Sequence, residues 1–128
     1  MKLTINGKEY GLQWGLGAIE IYCDIMNCDI EGLDKAIISE RLIDKLKAIN
    51  TLTLAAIQNW CELNDIDFDL NYRKFQNWVS EQPQELANAI IDDWKTSKYL
   101  GKTIGEYYFG ELPPDENLKK NKPRLEKS

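Results

Sequence analysis

The sequence predicts a mainly α-helical single domain with one short N-terminal β-hairpin, and three observations predict it. Apolar and polar residues alternate on both sides of Asn6-Gly7, the pattern of a half-buried strand pair. From Leu16 the apolar spacing changes to that of a helix, with Leu16, Ile19, Tyr22, Cys23 and Met26 in step. Helical spacing then recurs, with interruptions, as far as Phe109. Apolar residues make up 43% of the 128, close to the globular average, so the chain can build a single proper core.

The hairpin is justified by its turn. Leu3 and Ile5 alternate with Lys2 and Thr4, Tyr10 and Leu12 with Glu9 and Gly11, and Asn6-Gly7 suits a type I′ turn, which needs positive φ at both central residues. The first helix runs from about Leu16 to Met26, and Asn27 to Gly32 reads as a connection. A helical stretch follows from about Leu33 to Leu63, with Ile37, Leu42, Leu46, Ile49, Leu54, Ile57 and Trp60 as a rough apolar stripe. Thirty residues is long for one globular helix, so a break is expected at Asn50-Thr51-Leu52-Thr53, where Asn and Thr cap well and propagate poorly. In the second piece, Ala55 and Ala56 leave room for another helix to pack closely. Asn64 to Asp69 is an acidic loop. A helical unit with Tyr72, Phe75, Trp78 and Val79 starts near Asp69 or Asn71, and Pro83 ends it and starts the next. That next helix carries Leu86, Ala89, Ile90, Trp94 and Leu100 on one side, with Gly101 as its stop. Thr103 to Phe109 forms a further turn or two. These elements make one domain over residues 1–112, and beyond Pro113-Pro114 a polar flexible tail occupies residues 113–128.

Charge and composition exclude several classes. The chain has 16 basic and 21 acidic residues, and residues 113–128 carry +2, leaving −7 on residues 1–112. An acidic body without a basic, aromatic-studded face argues against nucleic acid as a partner. No stretch approaches the ~20 apolar residues of a membrane span, and polar residues interrupt the N-terminus where a signal peptide would need an apolar run. The expected location is the cytoplasm, with Cys23, Cys28 and Cys61 as three buried thiols in a reducing compartment. Cys23 and Cys28, five apart, are read on one helix and on different faces of it.

Candidate chemistry is sparse. The absence of histidine removes the commonest general base and zinc ligand, and leaves the three cysteines without a catalytic partner. Gly15-Leu16-Gly17 begins like a dinucleotide fingerprint, but Glu20 stands where the third glycine belongs. Asp65-Ile-Asp-Phe-Asp begins like a calcium loop, but Leu70 and Gln76 occupy the positions of the required glycine and bidentate glutamate. Asp92 and Asp93 are adjacent on a helix and point apart, unlike a glycosidase acid/base pair. No catalytic residue, metal site or cofactor is therefore expected. Trp14, Trp60, Trp78 and Trp94 fall one per element, as core anchors. Tyr107, Tyr108 and Phe109 are the candidate partner-binding residues, because three consecutive aromatics cannot all face one core; a lid over the helix ends is the competing reading.

The opening Met1-Lys-Leu-Thr-Ile-Asn-Gly-Lys-Glu-Tyr-Gly-Leu-Gln-Trp-Gly-Leu-Gly-Ala-Ile resembles that of tail assembly chaperones of long-tailed phages and related prophages. The order of elements over residues 1–112 is similar too, although Cys23, Cys28 and the Asp65-Asp67-Asp69 loop are not part of the likeness. The resemblance implies a non-enzymatic chaperone in the bacterial host cytoplasm. Its partners would be the phage tape measure protein and tail tube protein during virion morphogenesis, and self-association is left open. It also implies a longer product made by ribosomal frameshifting, for which the Lys119-Lys120 codons offer a slippery run. The alternative is a small helical phage or prophage adaptor or inhibitor that binds a host protein. An enzyme using carboxylates and a metal is disfavoured because no ligand spacing is complete.

Overall fold

The computed structural model describes residues 1–111. The tail read over residues 113–128, and the frameshift position at Lys119-Lys120 within it, lie outside the described residues. Strands β1 (Lys2–Ile5) and β2 (Lys8–Gly11) pair antiparallel, with Leu3 opposite Tyr10 and Ile5 opposite Lys8. Asn6 and Gly7 have φ of 53° and 82°, the type I′ signature expected from Asn-Gly. Leu3, Ile5 and Tyr10 are buried, so the period-two face is the core face.

The hairpin lies directly on the long helix of the fold. The Gln13 N–H donates to the Ala56 carbonyl at 3.1 Å, an approach that Ala55 and Ala56 permit because they carry so little side chain. Any side chain at Gly11 would overlap the Trp60 indole. Asn59 donates to the Gln13 carbonyl at 2.9 Å and tethers the link between β2 and the first helix.

Helix α1 spans Leu16–Met26, as the spacing predicts, and buries Ala18, Ile19 and Tyr22 against the long helix. Helix α2 (Ile30–Ile38) starts earlier than expected, because the Asp29 carboxylate accepts the Gly32 N–H at 3.0 Å as an N-cap. Gly32 therefore lies inside a helix and not in a connection. Helix α3 (Leu42–Leu63) is unbroken over 22 residues, which corrects the break placed at Asn50–Thr53. Two of those side chains find partners compatible with a helix: Asn50 donates to Gln76 at 2.8 Å, and the Thr53 hydroxyl to the Ile49 carbonyl at 2.7 Å. The interruption falls instead at Ser39–Arg41, where Ser39 turns extended and its hydroxyl accepts the Arg41 N–H.

Helix α4 (Tyr72–Ser80) is capped by Asn71, whose side chain accepts the Lys74 N–H at 2.8 Å. Helix α5 (Gln84–Thr96) begins just after Pro83 and buries Ile90 and Trp94, while Ala89 is exposed. It ends earlier than expected. Leu100 and Gly101 are not its last turn and stop but the turn of a second small hairpin, β3 (Lys98–Tyr99) and β4 (Lys102–Thr103), with φ of 51° and 86°. Leu100 is 74% exposed, so it packs on nothing. Helix α6 (Ile104–Phe109) follows with a complete capping box between Thr103 and Glu106. Backbone donation from Thr103 holds the Glu106 carboxyl below its usual range.

The result is a mainly helical, compact domain with a small N-terminal antiparallel hairpin. Helix α3 is its axis, with α1, α2, α4 and β2 packed around it and α6 closing over α2 and α5. No helix among the described residues is long and apolar enough to cross a membrane. Trp14 and Trp94 are buried, whereas Trp60 and Trp78 are half-buried at the edge of the core.

Candidate partner-binding surfaces

Tyr107, Tyr108 and Phe109 form a cap over the middle of α2 and the end of α5. Tyr108 turns inward: its hydroxyl donates to Asp34 at 2.6 Å and its ring lies 5.9 Å from that of Trp94. Burial, then the bond to Asp34, holds its phenol well above the ordinary value, so it stays protonated. Tyr107 and Phe109 flank it and are 46% and 42% exposed. Tyr107 meets Tyr99 edge-on at 5.0 Å, and Phe109 lies edge-on to Trp94 under the Lys95 ammonium at 4.8 Å. Lys95 is in turn paired with Glu111 at 2.9 Å. The run thus has one ring directed inward and two half-open rings already engaged with neighbours.

A second surface was not legible in the sequence. Ile38, Leu42, Ile43 and Leu46 are 62%, 68%, 61% and 46% exposed, four large aliphatic side chains within nine residues around the α2–α3 corner. Leu42 and Leu46 belong to the apolar stripe expected to face the core. They share a helix face with Thr53, which is buried, and with Asn50, which α4 meets through Gln76, yet they are themselves exposed. The first turns of α3 run beyond that cover. Lys45 and Lys47 stand on either side of these side chains, while Arg41 is paired with Asp44 at 3.8 Å and Glu40 lies beside it, so the corner carries a small positive excess on an acidic body. On the flank of this corner a cleft of about 450 Å³ opens between Tyr22, Met26, Ala36 and Ala48.

The acidic loop has a structural role. Asp69 accepts from the Tyr10 hydroxyl at 2.5 Å and from Lys8 at 3.2 Å, tying the loop before α4 to strand β2. The Tyr10 phenol is pushed up to about 12 by burial and then by this bond, while the Asp69 carboxyl is held below its usual range by the same partners. Asp93 similarly accepts the Trp14 indole N–H at 2.8 Å. Among the described residues no group of three or more Cys, Asp or Glu is placed to hold a metal ion.

The cysteines depart from expectation. Only Cys61 is fully buried, and Cys23 and Cys28 are half-buried. Cys28 is not on α1: Asn27 takes the left-handed conformation, ends the helix, and turns Cys28 back over it. The two cysteines are therefore neighbours and not on different faces of one helix.

No family model matches the chain, and neither a curated protein nor a solved structure does. This corrects the expectation drawn from the opening residues and the order of elements: phage tail assembly, tape measure chaperoning and ribosomal frameshifting are withdrawn.

Proposed function

We propose that this chain is a non-catalytic binding module that takes an amphipathic helix of another protein on its α2–α3 corner. The observation that carries the reading is the exposed set Ile38, Leu42, Ile43 and Leu46 beside Arg41, Lys45 and Lys47. Clustered exposed aliphatics on a soluble surface mark an interaction site more often than isolated ones do. The overhanging turns of α3 offer a convex ridge for helix-on-helix packing, and Lys45 and Lys47 on its two sides favour a partner with acidic flanks. The Tyr107 and Phe109 faces form the other candidate surface; their rings already pack edge-on with Tyr99 and Trp94, which leaves them less apolar area to offer.

The test is binding of a synthetic amphipathic helix with leucines on one face and glutamates on its flanks, followed by fluorescence anisotropy. Leu42→Asp combined with Leu46→Asp should weaken binding by about thirtyfold or more, since the lost burial is worth about 2 kcal/mol or more. Both side chains are exposed, so thermal stability should be unchanged. Equal binding by the double variant would overturn the assignment of this corner. A Tyr107→Ala, Phe109→Ala variant that alone loses binding would move the site to the aromatic cap.

A further inference from the structure

At the end of α1 the Cys28 N–H donates to the Cys23 carbonyl at 3.0 Å, and the Asn27 N–H to the Asp24 carbonyl at 3.4 Å. With Asn27 in the left-handed region at φ 51°, this pair of bonds defines a Schellman motif. Such motifs bring the side chain of the residue two past the helix against that of the residue three turn positions inside it. Here both residues are cysteines, so the turn sets their side chains against each other. The 3.0 Å bond and standard backbone dimensions confine the two Cα atoms to within about 7 Å, and disulfides span about 4.4–6.8 Å.

The surroundings keep the pair available. Gly32 leaves the space that Cys28 fills, since a Cβ there would come within 3.0 Å of the Cys28 Cβ and 3.3 Å of its Sγ. Neither cysteine is fully buried, whereas Cys61 is. Asp24 and Asp29 stand beside the pair and disfavour an anionic reagent.

We propose that Cys23 and Cys28 form a reversible dithiol–disulfide site that ties the end of α1 to the start of α2, oxidised by a neutral low-molecular-weight disulfide. Cys28 loses its proton to solvent and its thiolate attacks one sulfur of the reagent. The reagent's S–S bond breaks, one thiolate leaves and takes up a proton, and Cys28 carries a mixed disulfide. The Cys23 sulfur then attacks the Cys28 sulfur, gives up its proton, and displaces the second thiol. Two protein thiols are oxidised and one reagent disulfide is reduced to two thiols. Cys23 acts second because burial, then the adjacent Cys28, pushes its thiol up to about 11.

The experiment incubates the purified full chain with bis(2-hydroxyethyl) disulfide, quenches with acid, and maps tryptic peptides by mass. Cys23 and Cys28 fall in one tryptic peptide, residues 9–35, and Cys61 in another, residues 48–73. The 9–35 peptide should lose two hydrogens in mass and regain them with dithiothreitol, and one thiol of the three should remain titratable in denaturant. The internal disulfide should outnumber the mixed adduct by about tenfold or more, because the second step is intramolecular. Cys28→Ser should abolish the two-hydrogen loss. Adducts at both cysteines without ring closure, a cross-linked dimer, or two unreacted thiols where a free cysteine peptide reacts would each overturn the proposal.

Discussion

Replacing Thr51 by Val should stabilise the protein, whereas the same change at Thr53, two residues further along α3, should not. Thr51 is 0% exposed and its hydroxyl has no hydrogen-bond partner among the described residues. A buried hydroxyl left unpaired carries a desolvation penalty of about 1–3 kcal/mol. Val keeps the branched shape and a similar helix propensity, so the substitution removes that penalty without opening a cavity. The gain should be about 1 kcal/mol, or about 4 °C in Tm for a domain of this size. Thr53 is also buried, but its hydroxyl donates to the Ile49 carbonyl at 2.7 Å. Losing that bond offsets the added methyl, and Thr53→Val should be neutral or destabilising by up to about 1 kcal/mol. Thermal and urea denaturation followed by far-ultraviolet circular dichroism would measure both. If Thr51→Val is as destabilising as Thr53→Val or more so, the Thr51 hydroxyl has a partner such as a buried water, and the packing described around α3 is wrong there.

Leu100 holds a left-handed conformation that costs a branched-chain L-residue about 1 kcal/mol, and it is 74% exposed, so Leu100→Asn should raise Tm by a few degrees in the same melts. Gly7→Val should lower it, because Gly7 sits at φ 82° with open space around it and the penalty is purely one of backbone conformation. The Tyr10–Asp69 bond predicts a stability profile with two limbs. Tyr10 is raised to about 12, so its contribution is present below the ordinary phenol value and lost as pH climbs through about 12. Asp69 is lowered, so its contribution is present above the ordinary carboxylate value and lost as pH falls through its depressed one. Tyr10→Phe should flatten both limbs in urea midpoints measured across pH.

What the sequence disclosed depended on how local the cause was. Asn6-Gly7, the alternation of Leu3, Ile5 and Tyr10, and the bounds of α1 are all set by residues a few positions apart and were legible, and the start of α4 was legible to within the choice between Asp69 and Asn71. The continuity of α3 was not, because Asn50 is satisfied by Gln76 from another helix. The second hairpin is not legible in the sequence because its strands are two residues long and Leu100 gives no signal for positive φ. In the aromatic run, exposure of some rings followed from three consecutive positions, and Tyr108 proved to be the inward one. The α2–α3 corner was hidden for a different reason: periodicity shows that Leu42 and Leu46 share a face with buried residues, but not where the covering helix ends. The closeness of Cys23 and Cys28 was not legible because the αL turn at Asn27, which no spacing announces, folds Cys28 back onto the Cys23 carbonyl.

The binding reading is best judged by a ¹⁵N-edited NMR titration of the chain with the glutamate-flanked amphipathic helix. The account predicts chemical-shift changes concentrated at Ile38, Arg41, Leu42, Ile43, Leu46 and Lys47, with the Tyr107–Phe109 amides unmoved. Saturable changes confined to the aromatic cap, or no changes at all at peptide concentrations where the helix is formed, would contradict it.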